Sequence, residues 1–196
     1  NNLFLLHILL KTIQLGYMEL KKSIASGQYD FPNGVFFGGK KLEQGPLLIK
    51  EWLSQNIKAC ENITVIDVHT GIGKWKEQVL FYTGNLINPD KIKQMEHYFN
   101  NAIIPEIPES YTSGNNGYPT KGNFTDIFAE LFPNSEVHAF TLEFGTHISF
   151  KLLQAIVEEN AYHNNNREYS LSHPSKLQLK DRFFPQSESW RSHALE

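Results

Sequence analysis

An aspartate and a histidine, separated by one valine, lie near the end of an apolar stretch, Thr64-Val-Ile-Asp-Val-His-Thr-Gly-Ile-Gly73. Asp67 and His69 are two residues apart, so in a β-strand they lie on the same face. A histidine can bind a metal through one ring nitrogen while a carboxylate orients the other. The stretch therefore predicts a strand that ends on a candidate metal ligand, His69, with Asp67 as its supporting carboxylate.

A second apolar stretch, Val137 to Thr146, carries a carboxylate near its end. Glu143 lies between Leu142 and Phe144, and a carboxylate among apolar side chains is costly unless it has a partner. Burial would raise the pKa of Glu143, and a raised pKa suits a general acid or base. We therefore expect Glu143 to be a candidate catalytic residue.

Both residues also have ordinary structural interpretations. His69 can be a packing residue at a strand end, and Glu143 can cap the following helix or pair with a lysine. Spacing alone leaves these alternatives open and does not name a reaction.

The elements that must position these residues alternate along the chain. Apolar residues recur with helical spacing at 3–26, 46–58, 89–100, 124–131 and 149–163, and strand patterns lie at 63–69, 76–83 and 137–144. Such alternation predicts an α/β fold, in which ligands bind beyond the carboxyl ends of the strands. The polar last thirty residues show only a short packing segment, 183–185.

Composition excludes several classes of protein. The 18 basic and 21 acidic residues leave a net charge of -3 without a basic patch, which argues against a nucleic-acid partner. A membrane span needs about 18 or more consecutive apolar residues, and the sequence has no such run. The single cysteine, Cys60, is compatible with a reducing compartment, so we expect a cytoplasmic protein; the oligomeric state stays open.

Three segments, in their order and spacing, resemble the zinc carboxypeptidase superfamily. They are Gln28-Tyr-Asp-Phe-Pro-Asn-Gly34 with Phe37-Gly-Gly39, then Ile66-Asp-Val-His-Thr-Gly-Ile-Gly73, and Thr141-Leu-Glu-Phe-Gly-Thr146. The resemblance covers residues 20–190 and is to an uncharacterised carboxypeptidase-like branch, related to succinylglutamate desuccinylase and aspartoacylase. It implies one domain over residues 1–196, with a mixed, mostly parallel sheet sandwiched by helices, as the C-terminal two thirds of a catalytic domain.

The resemblance also implies an activity and a site. His69 matches a zinc ligand of the superfamily, and Glu143 matches the glutamate that activates the zinc-bound water. Tyr118 is a weak match to a mobile tyrosine that covers the substrate. The implied reaction is zinc-dependent hydrolysis of an amide or peptide bond in a small-molecule or peptide substrate.

The chain departs from the superfamily in its other ligands. The early H-x-x-E pair has no counterpart, and the only such string, His193-Ala-Leu-Glu196, has the wrong place. Arginines that grip a substrate carboxylate are also absent from the expected region, and Lys74 and Lys76 are weak replacements. Two interpretations follow. The chain is a fragment of a hydrolase, weak in zinc binding and inactive alone, or it is a non-catalytic binding module that uses loop 28–39 as a surface.

Overall fold

The computed structural model describes residues 2–16, 20, 23–24, 26–58, 60–82, 124–165 and 170–195. Within these residues the chain forms six helices and three strands. In chain order they are α1 (Asn2–Leu15), α2 (Gln44–Asn56), β1 (Asn62–Gly71), β2 (Gln78–Tyr82), α3 (Asp126–Leu131), β3 (Glu136–Gly145), α4 (Ser149–Asn165), α5 (Pro174–Phe183) and α6 (Glu188–Leu195).

The three strands form one mixed sheet in the order β1-β3-β2. The central strand β3 pairs in parallel with β1 and antiparallel with β2. The parallel register sets Asp67 opposite Thr141 and His69 opposite Glu143, so the two candidate residues end at the same edge of the sheet. The α/β class predicted from the sequence is confirmed, and the sheet of the described residues is mixed, as the resemblance implied.

Alternation along β1 gives this strand a buried side and an exposed side. Ile63 and Val65 join the core cluster, whereas Ile66 and Val68 are exposed within the described part of the chain. The cluster fixes the amino-terminal half of the β1–β3 pair, and its other buried members come from α2, α3, β3 and the residue after α3: Leu53, Phe128, Phe132 and Ala139.

Helices α4 and α5 pack together and hold the carboxyl end of α5 against β1. His173 caps α5 with its ring, which accepts the Ser175 backbone N–H at 3.3 Å, and it stacks on Tyr162 with the ring centroids 3.6 Å apart. Lys176 of α5 forms an ion pair with Glu159 of α4. These contacts fix the position of α5, whose last residue, Phe183, packs on the end of β1.

Two of the predicted elements differ from the structure. The predicted helix at 3–26 is interrupted after Leu15, because Gly16 adopts a left-handed backbone with φ +80°. Leu20, Ser23 and Ile24 are again helical. The sequence indicated no helix in the polar last thirty residues, whereas α5 and α6 form there; Pro185, in the predicted packing segment 183–185, is fully buried. The predicted helix at 89–100 and the candidate residue Tyr118 lie outside the described residues.

Among the helices formed by the described residues, none combines the length and the apolar character that a membrane crossing requires.

The buried side chain of Leu80, which is 0% exposed in β2, is expected to contribute strongly to stability. We predict that Leu80→Ala lowers the free energy of unfolding by about 2–5 kcal/mol, because it leaves a cavity against β3. The matched control Leu177→Ala removes the same atoms from a residue that is 54% exposed, and should cost about 1 kcal/mol or less. Urea unfolding of both variants measures the difference, and equal losses would contradict the observed packing.

Candidate functional site

Three titratable side chains meet at the carboxyl edge of the β1–β3 pair. Asp67 Oδ2 lies 2.9 Å from His69 Nε2, and Glu143 Oε1 lies 3.5 Å from His69 Nδ1. The imidazole ring is therefore flanked by two carboxylates, one on its own strand and one on the neighbouring strand. The parallel pairing brings together the residues that the sequence singled out separately.

The two carboxylates set the electrostatics of the imidazole. Asp67 favours a proton on Nε2, since its carboxylate oxygen lies within reach of that nitrogen. In the neutral ring Nδ1 then carries a lone pair, and this lone pair faces the Glu143 carboxylate. Two electron-rich groups at this distance can hold a metal cation between them.

Glu143 is the most deeply buried of the three residues, with only 5% of its surface exposed. Burial raises the pKa of its carboxyl group, while the nearby His69 ring and the Ile72 backbone N–H oppose this rise by favouring the ionised form. The Ile72 N–H donates to Glu143 Oε2 at 3.4 Å and leaves Oε1 toward the imidazole. A buried carboxylate with a raised pKa is suited to accept and release a proton.

The turn after β1 lies directly on the end of β3. Gly145 donates its N–H to the Glu77 carbonyl at 2.7 Å, and the Gly145 carbonyl accepts the Lys76 N–H at 3.1 Å. A Cβ atom at position 145 would lie 1.9 Å from the Lys74 carbonyl oxygen, so only glycine permits this backbone contact. The contact fixes the turn that provides the Ile72 N–H to Glu143.

Two buried side chains near this turn were missed in the sequence. Trp190 of α6 donates its indole N–H to the Gly145 carbonyl at 2.9 Å. Thr146 donates its hydroxyl to the Gly71 carbonyl at 3.5 Å, which ties the ends of β1 and β3 together. The Gly-Thr pair was visible as a strand end, but no periodic pattern indicates that a tryptophan in a polar segment returns to the sheet.

His147 also lies near the strand ends, where its ring has a packing role. Its ring packs against Trp75 at 5.2 Å between centroids, and its Nε2 lies 4.0 Å from Asp181 Oδ2. Burial and the nearby cations Arg182 and Lys151 lower the pKa of His147 despite the opposing effect of Asp181. The lowered pKa favours the neutral His147 ring, which packs beside the strand ends.

The side chains at this site provide only part of the ligand set that a zinc ion needs. An imidazole nitrogen and a carboxylate are the ligand types that zinc prefers, and His69 Nδ1 faces Glu143 with a gap between them. The described ranges contain no group of three or more His, Cys, Asp or Glu side chains arranged to hold a metal ion. His69 is therefore one candidate ligand, and a complete tetrahedral set needs further protein ligands.

Comparison with known proteins identifies the family. Residues 3–196 match the family described as "Protein of unknown function (DUF2817)", so the chain belongs to that family. Neither the curated proteins nor the solved structures include a significant match to the chain.

The burial of Glu143 predicts a pH-dependent gain in stability when its charge is removed. The folded protein holds the Glu143 proton more tightly than the unfolded chain, so this group favours folding at low pH and loses that contribution as the pH rises through its raised pKa. We predict that Glu143→Gln, in the presence of a chelator, raises the unfolding free energy at pH 7 by about 1 kcal/mol.

The gain should shrink as the pH falls through the raised pKa toward 4.5, the ordinary value for a glutamate, because the wild-type carboxyl group then becomes protonated in the folded state as well. Thermal unfolding at pH 7 and at pH 4 measures both limits. A variant that is less stable than the wild type at pH 7 would show that the ionised carboxylate is well compensated.

Proposed function

We propose that this chain carries part of the active site of a zinc-dependent hydrolase that cleaves amide or peptide bonds. One observation carries the proposal: the parallel register sets His69 directly opposite the buried Glu143 at the carboxyl edge of the sheet. A ligand-type imidazole next to a carboxylate with a raised pKa is the arrangement that metal-assisted hydrolysis requires.

The proposal extends to the particular branch and the whole fold. The three motifs of this chain resemble the carboxypeptidase-like branch related to succinylglutamate desuccinylase and aspartoacylase. In that scheme residues 1–196 are one domain with a mostly parallel sheet, and the remaining zinc ligands come from outside the described residues. The chain by itself should then bind zinc weakly, and the full-length protein should be the active form.

The residues of this chain have distinct tasks in the proposed reaction. A zinc ion, when bound, would polarise the substrate carbonyl and lower the pKa of its water. Glu143 accepts a proton from the attacking water and returns it to the leaving nitrogen, a task to which the raised pKa of its buried carboxyl group is suited. Asp67 holds the His69 ring by its Nε2 side, and the Ile72 N–H holds the Glu143 carboxylate by its Oε2 side.

A second candidate function is a non-catalytic binding module. The loop at 28–39 presents Tyr29 and Phe31 as exposed aromatic side chains, and Gln28 braces the loop through its amide, which donates to the Phe31 carbonyl at 2.8 Å. A rigid loop with exposed aromatic rings is suited to a peptide or small-molecule partner. Under this function Glu143→Gln leaves ligand binding unchanged, whereas Phe31→Ala weakens it.

Loss of the general base should abolish hydrolysis without unfolding the protein. We predict that Glu143→Gln in the full-length zinc-loaded protein lowers kcat for an acyl-amino-acid or peptide substrate by about 10²–10⁴-fold. The control Glu130→Gln changes an exposed glutamate that pairs with Lys50 at 2.7 Å, and should leave kcat unchanged. Hydrolysis that survives Glu143→Gln would rule out the proposed base.

Substitutions of Asp67 and of His69 should reduce the affinity for zinc to different extents. We predict that Asp67→Asn in the full-length protein weakens zinc binding by about 10–100-fold, the effect of losing a carboxylate that orients a ligand, and that His69→Gln weakens it further. His163→Gln, on the surface of α4, is the matched histidine control. Competition with a fluorescent chelator measures all three affinities, and equal affinity of His69→Gln and wild type would overturn the assignment of His69.

A further inference from the structure

The last helix of the described chain, α6, reaches the candidate site through one side chain. Trp190 is 3% exposed, and its indole N–H donates to the carbonyl of Gly145, which lies two residues after Glu143. A buried tryptophan needs an acceptor for its N–H, and many carbonyls would serve that need. What distinguishes Gly145 is that the same residue also holds the turn after β1.

Three hydrogen bonds converge at this residue. The Gly145 carbonyl accepts two donors, the Trp190 indole at 2.9 Å and the Lys76 backbone N–H at 3.1 Å, while the Gly145 N–H donates to Glu77. The Glu77 carboxylate in turn accepts the Lys74 N–H at 2.8 Å. The turn between Gly71 and Gln78 is thus fastened to β3 by backbone contacts, with the indole as the only side-chain donor to that carbonyl among the described residues.

The turn determines where the Ile72 N–H lies, and that N–H is the backbone donor to Glu143 Oε2. A shift of the turn therefore changes the environment of the Glu143 carboxylate without any change in Glu143 itself. The close contact between Gly145 and the Lys74 carbonyl leaves no space for the turn to move toward β3. The indole hydrogen bond limits movement of Gly145 away from α6.

Helix α6 is held firmly enough to act as a support. Trp190 packs edge-on against Phe184, with the ring centroids 6.0 Å apart, and Arg191 lies over the same Phe184 ring at 4.8 Å. The Arg191 Nε also donates to the Pro185 carbonyl at 3.2 Å. At the other end of the helix, the Gln78 amide of β2 donates to the His193 carbonyl at 3.2 Å.

We propose that Trp190 is a positioning residue of the candidate site: its indole N–H, through the Gly145 carbonyl, holds the turn that presents the Ile72 N–H to Glu143. This inference rests on the proposed function in its catalytic part, since it assigns a task to Trp190 in the reaction of Glu143. The structural part, a selective coupling between position 190 and the turn, holds for the protein whether or not it hydrolyses a substrate.

The test separates the hydrogen bond from the packing of the ring. Trp190→Phe keeps an aromatic ring and removes the N–H, whereas the control Phe184→Leu disturbs the packing around Trp190 and keeps the hydrogen bond. Backbone amide hydrogen exchange, measured by NMR on the complete chain, reports each position separately. We expect Trp190→Phe to accelerate exchange at Ile72, Lys76 and Gly145 roughly three- to tenfold, the effect of losing one hydrogen bond.

In Phe184→Leu the same three amides should change no more than the amides of α6 in general. If Trp190→Phe accelerates exchange uniformly over α6 and β3, as the packing control does, Trp190 is a core residue only and the proposal is overturned. Unfolding measurements on both variants correct for any global loss of stability.

Kinetics of the full-length protein test the catalytic part. Trp190→Phe should lower kcat roughly tenfold with an unchanged KM, because one hydrogen bond positions the base rather than the substrate. A raised KM with an unchanged kcat would overturn the positioning role. If the wild-type protein shows no hydrolysis, the proposed function fails, and the exchange measurements still decide whether Trp190 controls the turn.

Discussion

The parallel pairing of β1 with β3 is the interaction on which the rest of the structure depends. Ten residue pairs, from Asn62 with Glu136 to Gly71 with Gly145, keep the two strands in register. A slip by one residue would place His69 beside Leu142 or Phe144 and turn one set of side chains to the opposite face. The amino-terminal half of the pair carries the apolar cluster that prevents this slip, and the carboxyl half carries the titratable groups. The core therefore fixes the site from one end of the same two strands.

The carboxyl end of this pair combines opposing requirements. Glu143 is buried, and burial makes its ionised form costly, yet a general base must ionise. The neighbouring imidazole and the Ile72 N–H offset part of that cost, so the protonated and ionised states become closer in free energy. Active sites commonly hold such a compromise at the expense of stability. Here the compensation comes from rigid backbone, because the turn after β1 and the end of β3 are joined through glycine contacts that no larger residue permits.

Much of this arrangement could be predicted from the sequence, and the remainder has a physical reason for being hidden. Alternating apolar residues predicted β1 and β3, and the two-residue spacing placed Asp67 and His69 on one face. Helical spacing also predicted α4, which begins at Ser149 as expected. The contact between Trp190 and Gly145 could not be predicted, because a hydrogen bond across 45 residues leaves no periodic signal in either segment. Helix α5 was not predicted from the sequence for a related reason. Its stability comes from the His173 cap and the contacts with α4 rather than from an apolar stripe.

The indole contact also has a consequence for the order of biosynthesis. Glu143 and the turn that faces it leave the ribosome well before Trp190, which follows Gly145 by 45 residues. At translation rates of 5–20 residues per second, this interval lasts about 2–9 s. During that time β1, β2 and β3 can pair, but the Gly145 carbonyl lacks its indole donor. The strand-end turn therefore gains its indole hydrogen bond only after the strands that carry the candidate site have been synthesised.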